Sequence, residues 1–158
     1  MKKPIGVIAF LTDIGYKDHY AASIIGVALN TCLDIKIVSI THGIPSFDIY
    51  EAAFILLASY RYFPKGTIFV VVVVPSADSS KNAILIVTKN YFFIGPDNGV
   101  LIAAGENDGI EQVLLLNKSE YFRNNVSATF PGRDIYTPVA AQLACGTPLQ
   151  SLGTLSDP

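Results

Sequence analysis

The chain of 158 residues carries a formal net charge of -2, and 51 % of its residues are hydrophobic while only 15 % are charged. This length fits one domain with its own core, and the lack of a basic excess argues against a nucleic-acid partner. The longest purely apolar run, residues 68–74, is too short to cross a bilayer, so we expect no membrane span.

Apolar runs alternate with turn residues along the chain. The predicted strands are residues 5–11, 34–40, 67–74, 83–87, 91–94 and 112–116, of which the fourth and fifth form a hairpin or two consecutive strands. The predicted helices are residues 18–30, 46–62, 100–106 and 137–145, with Asp18, Ser46 and Thr137 as N-caps. The alternation predicts one α/β domain over residues 1–158, a three-layer, doubly wound, mostly parallel sheet with helices on both faces.

Polar loops follow the predicted strands, and ligands of open α/β sheets bind beyond the carboxyl ends of their strands. Asp13 comes directly after the first strand, where its carboxylate either accepts hydrogen bonds from a vicinal diol, such as a ribose, or caps its own turn. Phe47, after the second strand, either stacks on a sugar or base or packs beside Pro45. His42 is either a base or a hydrogen-bonded loop histidine.

The remaining polar motifs suggest structural roles. Asp97 and Asn98 suit a turn, and Arg133 with Asp134 is expected to form an ion pair that orders the loop before the last helix. No Gly-x-Gly-x-x-Gly motif, phosphate loop or Gly-x-Ser-x-Gly elbow occurs, and the two histidines and two cysteines lack metal-ligand spacing. We therefore expect no metal ion and no dinucleotide or NTP cofactor.

The two cysteines and the start of the chain bear on the cellular compartment. Cys32 and Cys145 are too few for a disulfide framework and lie on predicted helices, so they are expected to be buried free thiols. The basic start followed by the apolar residues 5–11 faintly resembles a signal peptide, but the run is short and meets Asp13 at once. We interpret it as the first strand and expect a cytoplasmic protein.

Five motifs follow one another across nearly the whole chain. They are FLTDIG at residues 10–15 with Asp18, ITHGIPSFDI at residues 40–49, YFPKGTI at residues 62–68, PDNGVL at residues 96–101 and TFPGRDI at residues 129–135. In this order they resemble the motifs of the S-adenosylmethionine hydroxide adenosyltransferase family, which includes S-adenosylmethionine hydrolases, fluorinases and chlorinases.

The resemblance implies a reaction and a binding site. In the family a water or halide attacks C5′ of the ribose of S-adenosylmethionine and displaces methionine, so the protein must aim the nucleophile and hold the ribose rigidly. The family's aspartate at the position of Asp13 holds the ribose hydroxyls, and its aromatic residue at the position of Phe47 lines the sugar pocket. Both residue types are kept here, and the resemblance implies S-adenosylmethionine as substrate or ligand without a further cofactor.

This chain departs from the family's water-activating set. The hydrolases use an aspartate, an arginine and a histidine, whose positions hold Val74, Lys81 and Pro131 here. Valine and proline offer no side-chain proton acceptor, and lysine lacks the planar fork of arginine. The catalytic residues are therefore unknown, and we expect a catalytically impaired protein that binds a nucleoside or S-adenosylmethionine. The alternatives are an active hydrolase in which Asp78 or His42 replaces the lost base, and an assembly domain without a ligand.

The resemblance also implies partners. In the family the chain continues into a smaller β domain, and homotrimers form their sites between a first domain and a neighbour's second domain. This chain stops at Pro158, so we expect that the C-terminal β domain is lacking. A hydrophobic content of 51 % indicates more apolar surface than one small domain buries, and we expect a homo-oligomer, a trimer by resemblance, or a missing domain to cover it.

Overall fold

The computed structural model describes residues 3–73, 82–126 and 130–156 of the chain. Within these ranges, seven strands form one sheet with the spatial order β2-β1-β3-β5-β4-β6-β7. The strands are β1 (Val7–Thr12), β2 (Lys36–Thr41), β3 (Ile68–Val72), β4 (Ala83–Thr88), β5 (Phe92–Pro96), β6 (Ile110–Leu115) and β7 (Thr154–Ser156). The helices are α1 (Tyr20–Thr31), α2 (Ile49–Ser59), α3 (Ile102–Asp108) and α4 (Thr137–Ala144), with a π segment (Gly132–Tyr136) leading into α4.

The sheet has a parallel half and a half in which neighbouring strands alternate in direction. β1 pairs in parallel with β2 and β3, and β3 pairs in parallel with β5. β4 runs antiparallel to both β5 and β6, and the short β7 is antiparallel to β6. The carboxyl ends of β1, β2, β3 and β5 therefore meet at one side of the sheet, which we call the carboxyl edge. The predicted α/β fold is confirmed. Of the two arrangements predicted for the fourth and fifth strands, residues 83–96 form the hairpin.

Helices cover both faces of the sheet, as predicted. α1 and α4 share a buried apolar cluster with Phe10 on one face, and α2 and α3 share a second cluster with Phe69 on the other. The central strand β3 is buried along its whole length, because its β-branched and aromatic residues offer apolar side chains to both faces. None of the helices in the described ranges is long and apolar enough to cross a bilayer.

The prediction of two buried free thiols is wrong. Cys32 directly follows α1 and Cys145 directly follows α4, and the two form a disulfide across a sequence separation of 113. α1 and α4 lie on the same face of the sheet, and their carboxyl-terminal ends bring the two Cα atoms to 6.0 Å, a distance that a disulfide spans. This juxtaposition depends on how the helices pack, which the spacing of the cysteines alone does not reveal.

The first two helices begin differently from the prediction. The Asp18 carboxylate accepts the adjacent His19 amide at 2.8 Å and does not bond an amide inside α1. Asp48, and not Ser46, is the N-cap of α2, and its carboxylate accepts an amide of the first turn at 3.0 Å. The helix cannot start earlier because Phe47 has a left-handed backbone conformation with φ of 66°.

The last helix extends further toward the N-terminus than predicted. Thr137 is not its N-cap but lies inside a continuous helical stretch, where its hydroxyl is buried and meets no partner among the described residues. Pro138, predicted as the first helical residue, lies just after the π segment. Proline has no amide hydrogen for the carbonyl four residues earlier, and that carbonyl, of Asp134, accepts the Arg123 amide at 2.9 Å.

Candidate functional site

Asp13 and Phe47, the two predicted binding residues, meet at the carboxyl edge. Asp13 follows β1 directly, and its amide donates a hydrogen bond to the Val72 carbonyl at the end of β3 (3.3 Å). Oδ2 of Asp13 accepts the backbone amide of Phe47 at 2.8 Å. One carboxylate thus fixes the loop after β2 to the loop after β1, and the structure brings the two predicted residues into contact.

The electrostatic state of Asp13 suits a hydrogen-bond acceptor. Burial raises the pKa of this carboxyl above its ordinary value, and the Phe47 amide partly offsets that effect by stabilising the ionised form. Among the described residues, Phe47 is the only other residue that donates a hydrogen bond to this carboxylate. The ionised group therefore keeps acceptor capacity for two adjacent hydroxyls of a ligand.

Phe47 presents its ring to solvent instead of packing it against the protein. Its side chain is 57 % exposed, although its backbone is held firmly. The positive φ of 66° is unfavourable for a bulky residue by roughly 1–3 kcal/mol, and bonds through its amide to Asp13 and through its carbonyl to the Ile49 amide (3.0 Å) offset this cost. An exposed aromatic ring on a residue whose amide is bonded to a half-buried carboxylate is suited to stacking on a planar or sugar ligand.

His42 is a buried structural histidine and not an available base. Its ring is 2 % exposed, and both ring nitrogens are engaged: Nδ1 lies 2.7 Å from the Thr12 hydroxyl and Nε2 lies 2.8 Å from the Ser39 hydroxyl. Burial lowers the pKa of His42, which favours the neutral ring. Of the two predicted roles, the geometry therefore favours a hydrogen-bonded loop histidine.

Tyr16 covers this arrangement from the loop after β1. Its hydroxyl accepts the His42 amide at 3.1 Å and lies 3.5 Å from the Thr41 hydroxyl, and these hydrogen bonds lower the pKa of Tyr16. Its ring stands edge-on to the imidazole, with 5.3 Å between the centroids. Tyr16 was not among the predicted site residues, because its contacts depend on the meeting of two loops.

The Pro-Asp-Asn-Gly turn after β5 is structural, as predicted. The Asn98 side-chain amide donates to the Val73 carbonyl at 2.8 Å, and its Oδ1 accepts the Val100 amide at 3.1 Å. These bonds tie the end of β5 to the end of β3. Asp97 is exposed, and its backbone amide donates to the Asn82 carbonyl at 2.9 Å.

The π segment packs against the end of β3, at the carboxyl edge. Pro131 stands at its start with no side-chain donor or acceptor, and Val74 and Lys81, the other two departures from the family's set, lie outside the described residues, as does Asp78. A Cβ atom on Gly132 would lie only 2.8 Å from Cγ1 of Val72. The close approach of this helix to the end of β3 therefore requires glycine.

The predicted ion pair of Arg133 and Asp134 is present. Nε and Nη2 of Arg133 donate to the two carboxylate oxygens of Asp134 at 2.8 and 3.1 Å, and Asp134 is 1 % exposed. The carboxylate also lies 3.5 Å from Nε of Arg123, which sequence reasoning missed. The Arg133 guanidinium stacks 4.9 Å from the Phe130 ring centre. The group orders the segment before α4.

A separate groove of about 320 Å³ lies between α3 and the β4, β6 and β7 strands. Its wall is mostly aliphatic, with Asp97 and Ser156 as its polar members, and neither Asp13 nor Phe47 lines it. Within the described part of the chain, no group of three or more His, Cys, Asp or Glu side chains is placed to hold a metal ion.

Comparisons with known proteins agree with the motifs. The sequence model of the SAM hydroxide adenosyltransferase N-terminal domain matches residues 8–153. The chain is 34 % identical to an (R)-S-adenosyl-L-methionine hydrolase of Salinispora arenicola, covering 96 % of this chain and 58 % of that protein. A hydrolase of the same name from Methanocaldococcus jannaschii is 35 % identical over 88 % of this chain and 53 % of its own length.

The chain is also similar to a protein named as a fluorinase and to a solved structure whose name states no activity. A fluorinase of an Actinoplanes species is 26 % identical, covering 96 % of this chain and 59 % of its own. The crystal structure of an uncharacterised conserved protein from Thermotoga maritima matches with a TM-score of 0.92 and 37 % identity, over 96 % of this chain and 59 % of that one. The chain thus spans slightly more than half the length of the relatives it matches.

Proposed function

Since the chain belongs to the SAM hydroxide adenosyltransferase family, we propose that it binds S-adenosylmethionine or a related nucleoside at the carboxyl edge, with little or no hydrolysis of the ligand. In this proposal the Asp13 carboxylate accepts hydrogen bonds from the two ribose hydroxyls, and the Phe47 ring contacts the sugar. S-adenosylmethionine is the ligand, and no other cofactor takes part.

The contact between Asp13 and Phe47 is the observation that carries the proposal. The Phe47 amide occupies Oδ2 of the carboxylate at 2.8 Å, which orients the group while leaving acceptor positions for a diol. The same bond holds the Phe47 backbone in a left-handed conformation that is unfavourable for a bulky residue. Strain retained at such a place is typical of ligand sites.

We propose little or no hydrolysis of S-adenosylmethionine because Val74, Lys81 and Pro131 replace the family's water-activating residues. Water attack at C5′ needs a side chain that orients the water and accepts its proton. Pro131 supplies neither, and His42 has both ring nitrogens bonded to hydroxyls inside the protein. An active hydrolase would therefore need a base from outside this arrangement.

A second polypeptide region is proposed to complete the site. Phe47 is 57 % exposed, and the following helix α2 exposes Tyr50 at 90 % and Phe54 at 69 %, three exposed aromatic side chains close in sequence to the residue that binds Asp13. A C-terminal domain or the neighbouring subunit of a homotrimer would cover them and add contacts to the base and the methionine. We also propose a cytoplasmic location, against which the Cys32–Cys145 disulfide weighs, because reducing compartments disfavour disulfides. Alkylation of free thiols in intact cells tests the location: reactive cysteines would support it, and a disulfide formed in cells would contradict it.

Calorimetric titration of adenosine and of S-adenosylmethionine tests the binding site. Asp13→Ala removes the diol acceptor, and because charged hydrogen bonds contribute about 1.5–3 kcal/mol each, we expect at least a 100-fold loss of affinity. Asp34→Ala is the matched control: Asp34 is exposed and precedes β2, at the opposite edge of the sheet. Unchanged affinity in Asp13→Ala would remove this carboxylate from the site, and absence of binding by the unaltered chain would contradict the proposal for this chain.

A further inference from the structure

His42 connects the loop after β2 to the end of β1 and to the loop that follows it, at three points. Its ring lies 2.7 Å from the Thr12 hydroxyl, its amide donates to the Tyr16 hydroxyl at 3.1 Å, and its carbonyl accepts the Gly15 amide at 2.7 Å. Thr12 and Gly15 flank Asp13 on either side. His42 therefore braces the segment that carries the carboxylate, while the same loop leads on to Phe47.

The hydrogen bonds around the ring favour one neutral tautomer. The Thr12 hydroxyl oxygen accepts the Ile14 amide at 3.3 Å, which leaves its hydrogen free to be donated to Nδ1 of His42. Nε2 then carries the ring hydrogen and donates it to the Ser39 hydroxyl at 2.8 Å. Both hydroxyls are thus satisfied by an uncharged imidazole.

No charged partner among the described residues compensates a protonated ring. The titratable groups beside it are Tyr16, which faces the ring edge-on from the loop after β1, and Asp13, which is next to Thr12 but directs Oδ2 to the Phe47 amide. From β2, which leads into the loop of His42, the neutral Ser39 hydroxyl bonds the ring. Protonation would turn Nδ1 into a donor, so the Thr12 hydroxyl, whose oxygen already accepts the Ile14 amide, would have to accept a second hydrogen and turn its own hydrogen away from the ring.

We propose that His42 is a positioning residue, whose neutral ring holds Asp13 and Phe47 in the mutual geometry that receives the ribose. The identity of the ligand rests on the proposed function, whereas the coupling of His42 to Asp13 and Phe47 does not. It makes the geometry of the site sensitive to acid: when the ring is protonated, the hydrogen bond from the Thr12 hydroxyl at the end of β1 is reversed, and the contact between Phe47 and Asp13 loosens.

Nuclear magnetic resonance follows this coupling without a ligand. We expect the Phe47 and Gly15 amide signals to shift together with the His42 ring signal as the pH falls below 6.5, because burial lowers the pKa of this histidine. His19, the other histidine, is exposed, so His19→Ala identifies the ring signals and should leave the coupled transition in place. Asp13 also titrates next to the Phe47 amide, and Asp13→Asn removes that second transition while keeping the one from His42.

Two substitutions of His42 separate the role of its ring from simple loss of structure. His42→Asn keeps an acceptor near the position of Nδ1 and cannot be protonated, so it should retain the Phe47 amide signal and abolish the transition. His42→Ala should shift that signal and speed the hydrogen exchange of the amide. A Phe47 amide that stays unchanged in His42→Ala, or that ignores the titration of His42 in the unaltered chain, would overturn the proposal.

Ligand affinity gives the functional readout. We expect His42→Ala to weaken adenosine binding at least fivefold at pH 7.5, and His42→Asn to restore most of it and to remove the loss of affinity in acid. If the unaltered chain binds neither adenosine nor S-adenosylmethionine, the proposed function fails, and the amide titration still decides the role of His42. If the chain binds and the amides do not follow His42, the positioning role alone is overturned.

Discussion

Removal of the disulfide between Cys32 and Cys145 should destabilise the protein strongly. The bond closes a loop with a sequence separation of 113, and in the chain-entropy description such a loop lowers the entropy of the unfolded state enough to stabilise the fold by about 5 kcal/mol at 25 °C. With an unfolding entropy of about 2.1 cal/mol/K per residue, the melting temperature of a chain of 158 residues should fall by roughly 14 °C.

Calorimetry of the oxidised protein, of the protein with reductant and of the Cys32→Ala/Cys145→Ala variant measures this effect. Cys32 is 5 % exposed, so the alanine variant loses packing as well as the bond and should melt at or below the reduced protein. Reductant should not change the melting temperature of the variant. A difference of less than about 3 °C between the oxidised and reduced protein would refute the claim that this bond constrains the unfolded chain.

Three further substitutions separate function from stability. Burial raises the pKa of Asp13, so ionisation of this carboxyl costs the folded state stability as the pH rises through that pKa. Asp13→Asn should therefore have a slightly higher melting temperature at pH 7 in thermal melts. Calorimetric titration should show that the same variant binds adenosine at least tenfold more weakly. Phe47→Gly relieves the left-handed backbone, so its melting temperature should not fall while affinity does; a large loss of stability would contradict the assigned strain. Gly132→Ala places a methyl group 2.8 Å from Val72, and we expect a loss of about 1–3 kcal/mol in urea unfolding, smaller when Val72→Ala is added.

The order of strands and helices could be predicted because each has a clear local signal. The apolar run that becomes β3 is buried on both faces, and two short apolar runs predicted the strands β4 and β5, whose antiparallel pairing the structure decided. The helix starts were less accurate, since Ser46, Asp48 and Thr137 are all good caps by residue type. Which of them acts was decided by the backbone conformation of Phe47 and by the π segment before α4.

The site was predicted only in part, for a physical reason. Asp13 stands out in the sequence because it directly follows a strand, at the edge where ligands of open α/β sheets bind, and the motif resemblance supported both Asp13 and Phe47. Tyr16, Ser39 and Arg123 have no such local signal. Their roles arise where loops from different strands meet, so they depend on the tertiary arrangement in the same way as the disulfide does.

Incubation of the protein with S-adenosylmethionine in ¹⁸O-labelled water tests the proposed function most directly. Water attack at C5′ would place ¹⁸O in the 5′ hydroxyl of adenosine, which mass spectrometry distinguishes from background decay, and Asp13→Ala serves as the blank. We predict bound but intact S-adenosylmethionine, with labelled adenosine no more abundant than in the blank. Labelled adenosine and methionine that form faster than in the blank would show that water activation operates despite Val74, Lys81 and Pro131.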